Sequence, residues 1–183
     1  MEDKIKITFI RHGATKSNLE SRYLGWKDEQ LSEEGIKLIK EQWSKPPNVQ
    51  QVFCSPMVRC IQTGKAIFGD CDMIEISDWK EINFGDFEGK NYKELAEDDN
   101  YQKWIDSNGT MKIPKGESRE EFIKRVMKGL DECIAICHEK KLRDIACVVH
   151  GGTIMAIASS ITGKDYYSFQ VKPGQSYTIE IVL

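Results

Sequence analysis

Two apolar runs of this chain end abruptly near a histidine. Residues 4–10, KIKITFI, are rich in β-branched and aromatic side chains, which predicts a strand. Residues 145–149, IACVV, are continuously apolar, which is typical of a strand buried on both faces of a parallel sheet. Arg11 follows the first strand and His12 comes next, whereas His150 directly follows the second strand. Polar chemistry is therefore expected at the ends of both strands.

Shorter patterns predict three further strands. Residues 51–54 indicate a short buried strand, and residues 72–76 indicate another. Residues 176–182, SYTIEIV, alternate between polar and apolar side chains, which is typical of an edge strand with one face more exposed to water. Because helical segments separate the strands, we predict an α/β fold, a three-layer helix–sheet–helix sandwich with a mostly parallel central sheet.

Helical spacing of apolar residues fills the stretches between the strands. Residues 31–43 predict a helix with Ser32 as its N-cap, and a long amphipathic helix is predicted from Ser118 to about residue 140. A further helix is predicted after His150, through Ile161.

One more helix is predicted after the second strand. Ser55-Pro56 suits its start, with Ser55 as the cap and Pro56 at the first position. Arg59 then lies on the first turn, either as a surface residue or facing the strand ends.

Residues 91–116 differ from their surroundings in composition. They are polar and acidic and carry Tyr92, Tyr101 and Trp104, which predicts short helices and loops laid over the domain rather than in its core. We interpret 91–116 as a small segment that covers a substrate. Its aromatic side chains either stack on a heteroaromatic group or pack the cover itself.

Composition limits the class of protein. The 183 residues, 40 % of them apolar, suit a single domain over residues 1–183. A formal charge of −3 provides no broad basic field, so neither nucleic acid nor an anionic membrane is an expected partner. No apolar run has the ~18 residues of a membrane span, and the start MEDKIKITFIRHG does not resemble a signal peptide. We expect a cytoplasmic protein.

The six cysteines do not form a metal-binding pattern. Cys54 and Cys147 lie in apolar strands and are expected to be buried thiols. Cys133, Cys137 and His138 offer the nearest approach to a metal site, but both cysteines fall on the apolar stripe of the long helix. We therefore expect core packing for the cysteines, a solvated helix end for His138, and no bound metal.

The two strand-end histidines are expected to share one crevice. In open α/β sheets, ligands gather at the carboxyl ends of the strands, so His12 and His150 should lie close together there. A single histidine at a strand end is more often structural. Two such ends, both flanked by glycine and one by Arg11, favour a site.

Four blocks of residues stand out in the order in which they follow one another along the chain. They are Arg11-His12-Gly13, Ser55-Pro56 with Arg59, Gln62 and Thr63, Glu81 with the following Phe-Gly, and His150-Gly151-Gly152. Together these blocks resemble the histidine phosphatase superfamily, the phosphoglycerate mutase-like group. The resemblance extends from about Ile7 to Thr153 and is to the phosphatase branch of that superfamily, especially the α-ribazole phosphatases.

The resemblance implies that His12 attacks phosphorus and therefore needs an unprotonated ring nitrogen. Arg11 and Arg59 would disfavour the imidazolium by like-charge repulsion and bind phosphoryl oxygens with their planar forks. His150 would donate to those oxygens as charge spreads in the transition state.

The resemblance also implies roles for two glycines and an asparagine. Gly13 and Gly151 would let the backbone pass close to the phosphate, and their carbonyls would fix the imidazole tautomers. Asn18 matches a family position that contacts the phosphoryl group.

A phosphate ester needs a proton donor for its leaving oxygen, and the resemblance assigns this role to Glu81. The same carboxylate would later activate water. Glu88, in the same loop, is the competing candidate.

The resemblance does not by itself decide the reaction, because the family includes phosphatases, mutases and members that only bind. The short cover 91–116 favours hydrolysis of a small phosphate ester through a phosphohistidine, and α-ribazole 5'-phosphate is the specific candidate. A phosphoglycerate mutase-type transfer and a non-catalytic phosphate-binding module are the alternatives. No cofactor or metal is expected, since two arginines and two histidines supply the positive charge.

Overall fold

Five strands form one sheet at the centre of the molecule. The computed structural model describes residues 4–182, so positions 1–3 and 183 of the predicted domain lie outside the described residues. The strands are β1 (Lys4–Arg11), β2 (Gln51–Cys54), β3 (Met73–Glu75), β4 (Asp144–Val149) and β5 (Ser176–Val182). Their order is β3-β2-β4-β1-β5, with only β5 antiparallel, which confirms the mostly parallel sheet and the edge strand.

Six helices surround this sheet within the described part of the chain. They are α1 (Lys16–Leu19), α2 (Glu33–Gln42), α3 (Val58–Phe68), α4 (Asp99–Asp106), α5 (Arg119–Lys140) and α6 (Gly151–Thr162). Short 3-10 turns lie at Ser77–Trp79, Gly85–Phe87 and Tyr166–Phe169. The two predicted serine caps are confirmed, because Ser32 accepts from the Gly35 amide and Ser118 forms a capping box with Glu121.

Alternate residues of β1 are buried on opposite faces of the sheet. Ile7 and Phe9 belong to one apolar cluster with side chains of α5 and α6, whereas Ile10 packs in another with Ile39 of α2 and Ile67 of α3. Burying each such side chain contributes about 1.5–3 kcal/mol. The helices thus form a layer on each side, and the three-layer prediction is confirmed.

The predicted start of α3 is wrong by two residues. The helix begins at Val58 with Met57 as its N-cap, and no side chain caps it. The Ser55 amide donates to the carbonyl of Val148, so this residue still belongs to the strand end. Pro56 therefore precedes the helix instead of opening it, and the Ser55 hydroxyl is available to the site. Arg59 lies on the first turn as predicted.

Part of the segment 91–116 contributes to the core, which corrects the prediction that it only lies over the domain. Leu95, Tyr101 and Ile113 are buried in the larger apolar cluster. Tyr101 tolerates burial because its hydroxyl pairs with the hydroxyl of Tyr23 at 2.8 Å. Tyr92 remains exposed.

The cysteines behave as the pattern predicts. Cys54 and Cys147 are buried free thiols, and burial raises the pKa of Cys54 to about 12. Cys133 and Cys137 are buried in the core, and His138 is exposed at the end of α5. None of the helices within residues 4–182 has the length and apolarity needed to span a bilayer.

Candidate active site

The parallel pairing of β1 with β4 brings the two predicted histidines together. Arg11 is the register partner of Val149, so the residues that follow each of them lie side by side. The His12 amide donates to the Val149 carbonyl at 2.9 Å, and the rings of His12 and His150 approach edge to face with centroids 5.1 Å apart. Both side chains are buried.

His12 is held in a form that suits nucleophilic attack. Its Nδ1 lies 2.7 Å from the Gly13 carbonyl oxygen, which can only accept, so Nδ1 carries the proton and Nε2 keeps its lone pair. Burial, followed by the charges of Arg59 and Arg11, holds the pKa of His12 well below its ordinary value. The ring is therefore neutral at neutral pH.

The loop that carries His12 is fixed by α3 and α2. The Gly13 amide donates to the Thr63 hydroxyl at 2.9 Å, and that hydroxyl donates to the Arg59 carbonyl. A Cβ on Gly13 would lie 2.9 Å from a side-chain carbon of Ile39. The structure thus requires glycine at this position for packing against α2, in addition to the two predicted roles, an approach to phosphate and a carbonyl that fixes the tautomer.

The guanidinium of Arg59 is fully buried and tightly held. Its Nη2 donates to the Gly25 carbonyl at 2.7 Å and its Nη1 donates to the Lys27 carbonyl at 3.1 Å. Its Nε donates to Nδ1 of His150 at 3.3 Å. Each terminal nitrogen keeps one N–H without a partner among the described residues. Arg59 therefore both anchors the 25–27 loop and retains donors for an oxyanion.

Ser55 and Arg59, rather than the predicted carbonyl of Gly151, fix the tautomer of His150. Because Nδ1 accepts from Arg59, Nε2 carries the proton and donates to the Ser55 hydroxyl at 2.8 Å. Burial and the charge of Arg59 hold the pKa of His150 well below its ordinary value. Ser55 stands in one of the four family blocks, but the only role predicted for it was that of a helix cap.

Arg11 lies where the cavity meets the start of α6. Its Nη1 donates to the Val171 carbonyl at 2.7 Å, whereas its Nε is buried without a partner in the described chain. A Cβ on Gly151 would lie 3.3 Å from the guanidinium carbon. Gly151 therefore allows Arg11 to lie against the N-terminus of α6. A helix N-terminus itself favours the binding of anions.

Glu81 is buried and oriented by the backbone. Its Oε2 accepts from the Gly152 amide and its Oε1 from the Ile82 amide, both at 2.9 Å. Burial raises the pKa of Glu81 despite these bonds. A buried carboxyl with a raised pKa suits a proton donor.

Glu88 has a different set of contacts from Glu81. Its carboxylate accepts from the amides of Gly25 and Trp26 at 3.0 and 2.7 Å, and from the Phe84 amide at 3.2 Å. Glu88 therefore ties two loops together. This arrangement favours Glu81 over Glu88 as the proton donor.

Asn18 is part of a capping box at the start of α1. Its Oδ1 accepts from the Thr15 amide at 3.1 Å, while the Thr15 hydroxyl accepts from the Asn18 amide. Asn18 also lines the main cavity. Contact with a phosphoryl group remains a prediction for this residue.

A cavity of about 740 Å³ opens beside these residues. Arg11, Asn18, Glu81 and Gly151 line it, whereas His12, Arg59 and His150 are not among its lining residues. Its remaining walls include aromatic and apolar side chains, namely Tyr23, Phe84, Trp104, Met155, Tyr166 and Tyr167. They also include the polar and charged side chains Arg22, Asn108, Arg119, Gln170 and Lys172. The catalytic candidates therefore border a roomy pocket whose wall is more apolar than polar and carries further cations.

Gly152 is a second functional position that the sequence did not single out. A Cβ there would lie 2.2 Å from Oε1 of Glu81, so Gly152→Ala must displace the carboxyl. We expect kcat to fall roughly 100-fold, because a displacement of about 1 Å costs that much. Steady-state kinetics on a phosphate ester measures this effect.

A matched control lies at the other end of the same helix. Gly163 has φ 69° and nothing near its Cβ position, and asparagine tolerates that backbone conformation. Gly163→Asn should retain the parental kcat. Equal kcat values for Gly152→Ala and the parent would contradict the assigned packing of Glu81.

Comparisons with known proteins agree with this geometry. The chain matches the model of the histidine phosphatase superfamily (branch 1) over residues 7–182. It is 25 % identical to phosphoglycerate mutase-like protein 4 of Arabidopsis thaliana, covering 98 % of this chain and 85 % of the relative.

Solved structures with the same fold include proteins named as phosphatases and proteins named as mutases. The alpha-ribazole phosphatase from Shigella flexneri superimposes with a TM-score of 0.84 at 24 % identity, covering 96 % of this chain and 90 % of the other. The phosphoglycerate mutase from Thermus thermophilus has a TM-score of 0.76 at 26 % identity, with 96 % and 92 % covered. The predicted fold is confirmed, and the relatives divide between phosphatases and mutases.

Proposed function

We propose, from the premise that this chain belongs to the histidine phosphatase superfamily, that it hydrolyses a small phosphate monoester through a phosphorylated His12. Members of the superfamily are phosphatases or mutases and act on small phosphorylated substrates. One observation carries the proposal. The neutral ring of His12 has its Nδ1 proton committed to a carbonyl, which leaves Nε2 for phosphorus near the guanidinium groups of Arg11 and Arg59.

In the first step, Nε2 of His12 attacks phosphorus and the ester P–O bond breaks. Arg11 and the remaining donors of Arg59 hold the nonbridging oxygens, and His150 turns its N–H from Ser55 toward the phosphoryl group. The protonated Glu81 gives its proton to the leaving oxygen, so the alcohol departs neutral.

In the second step, water attacks the phosphohistidine and the P–N bond breaks. The Glu81 carboxylate takes the proton of the water, and the electron pair of the P–N bond returns to Nε2. Inorganic phosphate leaves, and both side chains regain their starting protonation states.

The pH dependence follows from the two shifted groups. The pKa of His12 lies well below 6.5, so the nucleophile stays neutral in mildly acidic solution. The pKa of Glu81 lies above 4.5, so the acid form of Glu81 decreases as the pH rises through that shifted value.

We therefore predict that kcat/KM for an ester with a poor leaving group declines as the pH rises through the raised pKa of Glu81, with no loss in mildly acidic solution from protonation of His12. A pH–rate profile of the wild-type enzyme and of Glu81→Gln measures this, because the variant should lack this decline. A profile that rises with pH through 6.5 would contradict the assignment of the two groups.

The segment 91–116 is proposed as the substrate cover of a single domain formed by residues 1–183. Support comes from Trp104, Ile105, Asn108 and Gly109, which line the same cavity as Arg11 and Glu81. Cytoplasmic action is part of the proposal, because the six free thiols suit a reducing compartment.

The specific substrate that we propose is α-ribazole 5'-phosphate. Its heteroaromatic group suits a cavity of about 740 Å³ whose walls include Tyr23, Trp104 and Tyr166, and a three-carbon acid would leave most of this space empty. The alternative, phosphoglycerate mutase-type transfer, draws support from the relatives that bear that name.

Phosphate release from a panel of metabolites tests the proposed function. The expected result is turnover of α-ribazole 5'-phosphate well above that of p-nitrophenyl phosphate and sugar phosphates. Isomerisation of 3-phosphoglycerate without free phosphate would replace the proposal with a mutase. Binding of inorganic phosphate without turnover of any ester would replace it with a binding module.

No metal is part of the proposed chemistry, because the guanidinium groups of Arg11 and Arg59 already supply positive charge to the phosphoryl group and the neutral His150 supplies an N–H donor. Phosphate release is therefore expected to be unchanged after dialysis against a chelator. An assay with EDTA, followed by added Mg²⁺ or Zn²⁺, measures this. Loss of activity that either ion restores would contradict the prediction.

A further inference from the structure

Two side chains outside the four family blocks hold the backbone of Glu81. The Glu81 carbonyl oxygen accepts from Nε1 of Trp26 at 3.0 Å and from Nη2 of Arg125 at 3.2 Å. Neither Trp26 nor Arg125 lines the cavity, so neither contacts a substrate bound there. The position of the proposed proton donor therefore depends on residues behind it.

All the N–H donors of the Arg125 guanidinium bind the loop around Glu81 or the carboxylate of Glu117. Its Nε and Nη2 donate to the two carboxylate oxygens of Glu117, each at 2.8 Å. Its Nη1 donates to the carbonyls of Asp78 and Lys80 at 2.7 and 3.0 Å. Together with the bond to Glu81, all five N–H donors have an acceptor. A lysine at this position could not reproduce that set of contacts.

Glu117, which binds Arg125, also holds the part of the loop that follows Glu81. Its carboxylate accepts from the Asn83 amide at 2.8 Å, and its own amide donates to the Asn83 carbonyl. The pair is shielded from solvent, since the side chains of Arg125 and Glu117 are 18 % and 16 % exposed. Residues 78–83 are therefore attached to α5 on both sides of Glu81.

We infer that Arg125 and Glu117 form a positioning pair that sets the Glu81 carboxyl against the leaving oxygen of the substrate. The inference rests on the proposed function, because it presumes that Glu81 is the proton donor. A merely structural pair would stabilise the loop without any effect that depends on the leaving group.

Two substrates of similar shape separate these roles. Phenyl phosphate has a poor leaving group that needs protonation, whereas p-nitrophenyl phosphate has a good one that does not. For Arg125→Lys we expect kcat/KM for phenyl phosphate to fall roughly 10- to 100-fold, because the donor is misplaced. The fall for p-nitrophenyl phosphate should stay within about threefold. Adding Glu117→Gln to the Arg125→Lys variant should lower kcat/KM for phenyl phosphate little further, because the two residues act as a unit.

Lys128→Met is the matched control. Lys128 lies on the same helix and binds the Asp78 carboxylate at 2.9 Å, but it is exposed and does not contact the Glu81 backbone. This variant should treat both substrates as the wild type does. If Arg125→Lys fails to fold, Trp26→Phe replaces it, because phenylalanine keeps an aromatic face beside Lys80 and Arg125 but lacks the N–H that donates to Glu81. We expect the same selectivity there, with a smaller loss.

Equal losses on both substrates, or no loss, in a folded Arg125→Lys enzyme would overturn the inference. The Glu81→Gln variant distinguishes this result from a failure of the proposed function. If Glu81→Gln is selective for phenyl phosphate and Arg125→Lys is not, only the positioning role fails. If Glu81→Gln is itself not selective, the proposed proton donor is wrong.

Discussion

His12→Ala is expected to lower kcat for phosphate release by a factor on the order of 10⁴ or more, since it removes the nucleophile. The buried ring donates to the Gly13 carbonyl and packs edge to face against His150. We expect the protein to fold without it, because the apolar core remains intact. Continuous measurement of inorganic phosphate gives the rate, and circular dichroism verifies the fold.

His138→Ala provides the matched control for that variant. His138 is an exposed histidine in the last turn of α5, and the structure gives it no part in the site. Its removal should leave kcat unchanged. A His12→Ala enzyme that turns over as fast as His138→Ala would mean that the phosphoryl group is not carried on His12.

Glu81→Gln is expected to lower kcat/KM for phenyl phosphate roughly 10²- to 10⁴-fold, because the leaving oxygen loses its proton donor. The side chain keeps its size and an oxygen for one of the two backbone amides. Since p-nitrophenolate leaves without protonation, the loss on p-nitrophenyl phosphate should be much smaller. Parallel kinetics with the two esters measure the difference.

Glu88→Gln is the comparison for this prediction. The Glu88 carboxylate accepts from Gly25 and Trp26, so its neutral form should weaken the loop equally for both esters. If the larger loss on phenyl phosphate than on p-nitrophenyl phosphate occurs in Glu88→Gln and not in Glu81→Gln, Glu88 is the proton donor and Glu81 is not.

Much of the site could be predicted because it lies where local patterns end. The apolar runs of β1 and β4 define two buried strands, and parallel pairing puts the residues after them side by side. His12 and His150 therefore meet for a reason that is visible in the sequence. Arg59 follows from the same logic, since a helix that starts after β2 begins at that edge of the sheet.

The remaining features depend on contacts that no local pattern encodes. Ser55-Pro56 suits a helix start by its composition, yet the Ser55 amide pairs with Val148, 93 positions along the chain, and its hydroxyl meets His150. Gly152 matters because of Glu81, from which 71 positions separate it. Burial of Tyr101 required a partner for its hydroxyl, which only the tertiary structure supplies.

Trapping of a phosphoenzyme tests the central claim most directly. Glu81→Gln mixed with ³²P-labelled p-nitrophenyl phosphate should be phosphorylated readily, because this leaving group needs no acid, and dephosphorylated slowly, because water lacks its base. Quenching should yield a stoichiometric label that is stable to alkali, labile to acid and located on the peptide containing His12. Turnover by the wild type with no such label in either enzyme would contradict the account.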